Sequence, residues 1–146
     1  MASIEGYNLP DDLYFHKEHS WAKKEDDGKV RVGMSEFFAK TAGDIVYVDL
    51  PFEGDDVEQN ETCGKVQSSK WIGKLIAPVS GEIAEVNEEL ENESGLINSD
   101  PYGKGWIMLI EPSNLDDELG SLLKEPGDIE EWIKAEVQRA EDEKKK

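Results

Sequence analysis

The sequence predicts a mainly β protein: a β-sandwich or flattened barrel with one short internal helix, closed by helices near the C-terminus. Apolar or alternating segments of about five residues recur along the chain. Turns rich in Gly and Pro, such as Asp27-Gly28, separate these segments at short spacing, which is typical of antiparallel sheets. With 146 residues, the chain has room for one such domain.

The N-terminal part is expected to contain two strands. Residues 1–13 predict an extended arm that ends in a turn at residues 9–12. Residues 13–23 alternate loosely, as one strand would. Asp27-Gly28 then predicts a hairpin turn, since this pair is the strongest short turn signal, and residues 29–34 form the return strand.

A helix and a third long strand follow. Ser35 is the expected N-cap of a helix over residues 36–41, which supplies Phe37 and Phe38 to the core and ends at Gly43. Residues 45–50 are rich in β-branched side chains, and Pro51 stops that strand.

The centre of the chain predicts a β-hairpin with a lysine at its tip. Residues 62–66 and 74–77 each contain a short apolar run. The connection between them begins with polar, turn-forming residues, and Gly73 is free to take a positive φ. Lys70 is therefore expected to point into water.

The remaining strands complete one β-rich core. Residues 81–86 and 106–111 are the predicted strands, the second after a rigid turn at 100–105. Residues 87–94 are acidic and helical around Leu90. Buried positions in the strand pattern are expected at Trp21, Val48, Val66, Val79 and Ile107.

Two helices are predicted at the C-terminus. Ser113 or Asn114 caps the first, over residues 115–123, and Pro126-Gly127 ends it. Asp128 caps the second, which runs to about residue 143. Its apolar stripe predicts a helix packed on the sandwich rather than one that docks a partner, and consists of Ile129, Trp132, Ile133, Val137 and Ala140.

The net charge of −18 excludes nucleic acid and anionic membranes as natural partners. Two interpretations of the acidic surface stay open: it steers the protein to basic faces on partners, or it is a solvated surface suited to a saline habitat. No apolar run approaches the roughly 18 residues that span a bilayer, and the N-terminus lacks the pattern of a secretory signal. The expected location is the cytoplasm.

The sequence contains no arrangement typical of an enzyme. There is no nucleophile with a base, no phosphate-binding loop and no metal-ligand cluster. His16 and His19 would lie on opposite faces of a strand, which favours structural roles. Cys63, the one cysteine, is expected to be a small buried side chain in a strand.

Several motifs resemble a known family. The pattern Gly64-x-Val66-x-Ser68-x-Lys70, followed by residues 77–82 (Ala-Pro-Val-Ser-Gly-Glu), resembles the lipoyl-lysine hairpin of lipoyl carrier proteins. From about residue 14 to 123, further blocks resemble the H proteins of the glycine cleavage system, including residues 43–51 and 98–106.

The resemblance implies a lipoyl-domain-like sandwich and a covalent lipoyl group on Lys70. The implied domains are an arm (1–13), a lipoyl-carrier domain (14–127) and a C-terminal helix with a charged tail (128–146). The implied function is that of a non-catalytic, monomeric carrier. Its tethered arm would visit several partners at high effective concentration.

The hairpin departs from the family pattern around Lys70. Gln67 replaces an acidic residue, Ser69 an apolar one, Trp71 a small one and Lys74 a second acidic one. These changes favour a divergent branch that serves sulfur oxidation with a heterodisulfide-reductase-like complex. Two alternatives remain: a glycine cleavage H protein carrying an aminomethyl group, or an unlipoylated scaffold. The expected partners are a lipoate attachment enzyme, the enzymes of one of those two systems, and dihydrolipoyl dehydrogenase.

Overall fold

The structure, a computed structural model, describes residues 2–4, 7–9, 13–69 and 72–144. Among them, the strands form one six-stranded, one three-stranded and one two-stranded sheet, and every pairing is antiparallel. The predicted mainly β sandwich is confirmed. No helix in the described part of the chain is both long and apolar enough to cross a membrane.

The six-stranded sheet contains most of the predicted strands. In spatial order it consists of β3 (Tyr14–Phe15), β4 (Ser20–Lys24), β5 (Val30–Met34), β11 (Met108–Pro112), β10 (Gly81–Val86) and β7 (Asp56–Val57). Gly28 adopts a φ of +90° in the turn between β4 and β5, as the Asp-Gly pair predicts.

The three-stranded sheet carries the predicted hairpin. It pairs β6 (Ile45–Asp49) with β8 (Thr62–Ser68), and β8 with β9 (Ile72–Ile76). Gly73 lies inside β9 opposite Val66, and its φ is not positive, so the expected turn role for this glycine is wrong. The hairpin strands are longer than predicted because their pairing continues to Gln67 and Ile72.

The internal helix α1 (Glu36–Ala42) begins and ends as predicted. The Ser35 hydroxyl accepts a hydrogen bond from the Phe38 amide at 3.2 Å, and Gly43 follows the helix with a φ of +80°. A 3₁₀-helix (Glu88–Glu91) buries Leu90, and the short helix α2 (Leu96–Ser99) buries Ile97.

Two segments near the N-terminus differ from expectation. In the described part of the expected arm, β1 (Ala2–Ile4) pairs with β2 (Tyr7–Leu9), in which Leu9 is fully buried; residues 10–12 of the turn expected over 9–12 lie outside the described residues. The single strand expected over 13–23 is β3, a tight turn and β4. His19 closes that turn with a φ of +78°, a conformation that side-chain contacts described below hold in place.

The C-terminal helices also have different limits. Helix α3 (Leu115–Leu119) ends early because Leu123 exchanges two backbone hydrogen bonds of 2.8 Å with Phe15 of β3. Pro126 and Gly127 do not end this helix; they begin α4 (Pro126–Lys144), and Asp128 lies in its first turn rather than at its cap. Proline is well suited to the first turn, where no amide donor is needed.

The core divides into two clusters. The larger cluster lies between the main sheets and includes Val48, Val66, Val79 and Ile107, which are buried as predicted. Trp21 is also buried, but it belongs to the second cluster. There Ile129 and Ile133 of α4 are buried with it, and Trp132 and Val137 pack against them; the side chain of Ala140 lies outside the described residues.

Candidate functional site

The candidate site lies at the end of the hairpin formed by β8 and β9. Gln67 pairs with Ile72, and Lys65 pairs with Lys74 two positions further from the connection. The predicted acceptor, Lys70, lies between the two strands in sequence, but Lys70 and Trp71 are outside the described residues. The described residues on either side, Ser69 and Ile72, are both exposed.

The strand β8 is held firmly up to the residue before the connection. Ser68 pairs with Ile45 of β6, and the Ser69 amide donates to the Asp44 carbonyl at 3.1 Å. Gly64 allows β6 to approach closely, because a Cβ on this residue would lie 2.5 Å from the Asp49 carbonyl oxygen. Close packing against β6 therefore explains why the first position of the lipoyl-type motif is a glycine.

Asn98 positions the strand that supports β8, a role that the sequence did not reveal. Its side-chain amide donates to the carbonyls of Ala39 (3.0 Å) and Gly43 (2.8 Å), and its carbonyl oxygen accepts from the Ile45 amide (2.9 Å). One side chain thus joins the end of α1 to the start of β6. In the sequence, Asn98 is visible only as a polar residue next to Ile97, which is buried in the structure. That pattern does not indicate which backbone groups the Asn98 side chain binds.

The two histidines have structural partners. His16 bonds through Nε2 to the Asn60 side-chain oxygen at 2.6 Å and accepts from the Glu18 amide at 3.0 Å. His19 is buried and stacks between Phe37 and Trp132 at centroid distances of 5.0 and 4.8 Å. Within the described residues, no group of three or more His, Cys, Asp or Glu side chains could hold a metal ion.

His19 also connects three elements by hydrogen bonds. Its Nδ1 lies 3.1 Å from the Ser35 hydroxyl, and its Nε2 lies 3.0 Å from Glu136 Oε1 on α4. The hydrogen bond from His19 is the largest cause that lowers the pKa of Glu136, and nearby Arg139 lowers it further. This network fixes α4 to the turn between β3 and β4 and to the start of α1.

Cys63 is half-buried in β8, where its Sγ lies 3.5 Å from the Leu75 carbonyl oxygen and 3.9 Å from Met108 Sδ. Burial raises the pKa of its thiol to about 12. A thiol with this pKa stays protonated at neutral pH and is a poor nucleophile. The geometry therefore supports the structural role that the sequence predicted.

Comparison with known proteins identifies the family. The family model "Glycine cleavage H-protein" matches residues 13–136. The chain belongs to the glycine cleavage H-protein family. Members of this family are non-catalytic carriers with lipoate covalently attached to a lysine.

Individual relatives support the same assignment. A "Probable glycine cleavage system H protein" of Thermococcus gammatolerans is 43% identical over 84% of this chain and 91% of its own. The H protein of Halalkalibacterium halodurans is 48% identical over 73% and 83%. The crystal structure of the H protein from Mycobacterium marinum is 34% identical, with a TM-score of 0.69 over 77% of this chain and 98% of that one.

These comparisons decide between the alternatives only in part. They confirm the carrier family and its fold, and they support the glycine cleavage alternative better than the sulfur-oxidation branch that the hairpin departures favoured. The names of the relatives described above all refer to glycine cleavage.

Proposed function

We propose that this chain is the lipoate-carrying H protein of a glycine cleavage system and that Lys70 carries the lipoyl group. The observation that supports Lys70 is its place between β8 and β9. The other two hairpin lysines, Lys65 and Lys74, lie opposite each other inside the paired strands. In a family that carries lipoate on a lysine, a lysine in the connection between two strands is the one that an attachment enzyme is expected to reach.

The residues around the connection fit a swinging arm. The strands are paired up to Gln67 and Ile72, so the base of the arm is anchored by a regular ladder, while the exposed Ser69 and Ile72 leave its surroundings open to solvent. When attached, lipoate supplies a dithiolane that accepts the carried group and exchanges electrons. The protein contributes the anchor and the surface that partners recognise.

The proposed partners follow from this role. A lipoate attachment enzyme modifies Lys70, and the arm then carries an aminomethyl group between the decarboxylase and the aminomethyltransferase before dihydrolipoyl dehydrogenase reoxidises it. Tethering raises the effective concentration of the arm at each active site once the carrier has docked. The carrier itself needs no catalytic residue.

A second candidate keeps the arm but changes the pathway. Gln67, Ser69 and Lys74 are all exposed beside the connection and depart from the family's hairpin pattern. These departures favour a carrier for a heterodisulfide-reductase-like sulfur-oxidation complex. The sequence relatives favour glycine cleavage, so this candidate ranks second.

Intact mass spectrometry of the protein from its native source tests the lipoyl site. The wild-type protein should carry one lipoyl increment, the Lys70→Arg variant should carry none, and a Lys74→Arg control should keep it. An unmodified wild-type protein would support the scaffold alternative, and an increment on Lys70→Arg would place the group elsewhere. Loading by glycine and the decarboxylase then separates the two pathways, because a sulfur-oxidation carrier should not accept an aminomethyl group.

A further inference from the structure

The three-stranded sheet presents an exposed surface of mixed apolar and basic character on the strands that flank Lys70. Val46, Tyr47 and Ile72 are 56%, 57% and 60% exposed. Lys65, Gln67 and Lys74 are exposed on the same strands. We call this surface the hairpin face and define it by seven exposed residues, two of them lysines and one a carboxylate: Val46, Tyr47, Asp49, Lys65, Gln67, Ile72 and Lys74.

Strand register places these side chains together. Tyr47, Gln67 and Ile72 form one row across β6, β8 and β9, and Asp49, Lys65 and Lys74 form the next row on the same face of the sheet. The pairing of β6 shifts register between Ile45 and Tyr47, which adds Val46 beside Tyr47. Ile45 and Val48 remain buried, so the shift exposes two consecutive apolar side chains without opening the core.

The two lysines of the hairpin face are not explained by contacts within the protein. Lys65 and Lys74 lie directly opposite each other, an arrangement that is destabilising for like charges. Asp49 is the neighbour of Lys65 in the next strand, yet neither ammonium lies within 4.0 Å of a carboxylate among the described residues. Both charges are therefore available to another molecule.

The hairpin face also differs from the surface elsewhere. The protein has a net charge of −18, and a groove at the end of β10 is lined by five glutamates and one lysine: Glu53, Glu85, Glu88, Glu89, Glu93 and Lys104. A partner surface with carboxylates would be repelled by that groove and attracted at Lys65 and Lys74. Screening in physiological salt acts over about 8 Å, so the local pair of lysines decides the contact at close range.

We propose that the hairpin face is the docking surface for the enzyme that attaches lipoate, and that this enzyme presents carboxylates around an apolar contact. The inference rests on the proposed function of Lys70. The attachment enzyme must bring its active site to Nζ of Lys70, two residues from Ile72, so it has to cover the adjoining strands. The lysines of this face leave their charges unpaired among the described residues of the apo protein, which is the form that the attachment enzyme binds.

The experiment compares two variants with the same change in net charge. Lys65→Glu/Lys74→Glu reverses the basic pair of the hairpin face, and Lys23→Glu/Lys24→Glu reverses two exposed lysines of β4 in the other sheet. The apo forms are titrated with the purified attachment enzyme of the same organism, by calorimetry and by intact-mass modification rate. At low salt, we expect the first variant to have an affinity for the enzyme and a modification rate about tenfold lower than those of the control. Both differences should become smaller at high salt.

Two further variants complete the test. Lys65→Arg/Lys74→Arg should restore binding, and Ile72→Ser should weaken it more than Phe52→Ser, whose aromatic ring is 76% exposed beyond the far end of β6. Equal binding by the hairpin and β4 charge variants would overturn the docking proposal while leaving Lys70 as the lipoyl site. A wild-type protein that binds the enzyme but gains no lipoyl mass would instead overturn the proposed function.

Discussion

The region beneath α4 and the hairpin face use ionisable side chains in opposite ways. Beneath α4, His19 and Glu136 are buried, lie 3.0 Å apart and connect elements that are 117 residues apart in sequence. On the hairpin face, Lys65 and Lys74 are exposed and lie opposite each other. The first pair joins parts of the fold, and the second leaves its charge to the solvent.

This difference indicates which substitutions affect folding and which affect recognition. Removing one partner of a buried polar pair lowers the free energy of unfolding, because the other partner stays buried without its hydrogen bond. Exposed lysines contribute little to stability, and their removal changes the electrostatics that a partner meets. Stability and binding should therefore respond to separate sets of residues.

The largest expected effect on stability lies beneath α4. Ile133 is fully buried in the second hydrophobic cluster, so Ile133→Ala should lower the free energy of unfolding by about 2 to 5 kcal/mol. Denaturant titration measures the change. Glu131→Ala, an exposed position on the same helix, is the control and should stay within about 0.5 kcal/mol of wild type. A shift no larger than that of the control would mean that α4 does not pack as described.

A smaller effect is expected in the hairpin sheet. Val66 of β8 is 1% exposed, and Val66→Ala should cost on the order of 1 to 3 kcal/mol. Gln67→Ala is the matched control, because the next residue on the strand is exposed. Equal unfolding midpoints for the two variants would contradict the assignment of inward and outward positions on β8.

The third prediction concerns pH and the His19–Glu136 pair. The pKa of Glu136 is lowered from its ordinary value of 4.5, so its charged form is favoured by folding. Its contribution is therefore present above about pH 4.5 and is lost as the pH falls through the lowered pKa. Glu136→Gln should cost about 1 to 2 kcal/mol at pH 7, and the difference from wild type should shrink below pH 4.5.

Thermal unfolding of both proteins across pH 3 to 7 checks this prediction. Glu130→Gln is a suitable control, since Glu130 forms an exposed ion pair with Lys134 on the same helix. If the difference in unfolding temperature between wild type and Glu136→Gln stays constant over this range, the charge of Glu136 is not what stabilises the helix.

Local signals in the sequence predicted much of the fold. The strand over 81–86 has the predicted limits, Ser35 caps α1, and Gly28 takes the positive φ that an Asp-Gly turn requires. Each of these features depends on residues within a few positions of one another. Short-range propensity and turn chemistry are enough to specify them.

Features that depend on distant contacts could not be predicted in the same way. His19 adopts a positive φ in a turn because Phe37, Trp132 and Glu136 hold its ring. The residues adjacent to His19 in sequence do not predict these contacts. Helix α3 stops short because Leu123 pairs with Phe15, more than a hundred residues earlier. Tertiary contacts override local propensity at both places.

The site shows the same division. The motif around Lys70 predicted a hairpin, and the strands on both sides of that lysine form one. The sequence singled out Gln67 and Lys74 of the hairpin face, but not Val46 and Tyr47, since the register shift after Ile45 that exposes them has no signature in the sequence. The position of Lys70 in the connection stays a sequence-based prediction, because this residue lies outside those that the structure describes.

The smallest predicted effect tests whether the four departures from the family's hairpin pattern, two of which lie on the hairpin face, distinguish this chain from other members of its family. A variant with Gln67→Glu, Ser69→Val, Trp71→Ala and Lys74→Asp restores the family's hairpin pattern. A lipoate ligase that modifies glycine cleavage H proteins should then act on it about fivefold faster than on the wild type, roughly 1 kcal/mol in the transition state. The physical reason is that Lys74 and Gln67, both exposed, present a positive and a neutral side chain where such a ligase meets two carboxylates.

The measurement is a side-by-side rate assay read by intact mass, with the attachment enzyme of the same organism as the second arm. That enzyme should modify the wild type faster than the variant, because its proposed carboxylates attract Lys74 and would repel the aspartate that replaces it. Opposite preferences of the two ligases would mean that these four hairpin positions specify the attachment enzyme. Equal rates with the glycine-cleavage-type ligase would show that the departures are neutral, which would also remove the reason to consider the sulfur-oxidation branch and leave glycine cleavage as the function that the relatives support.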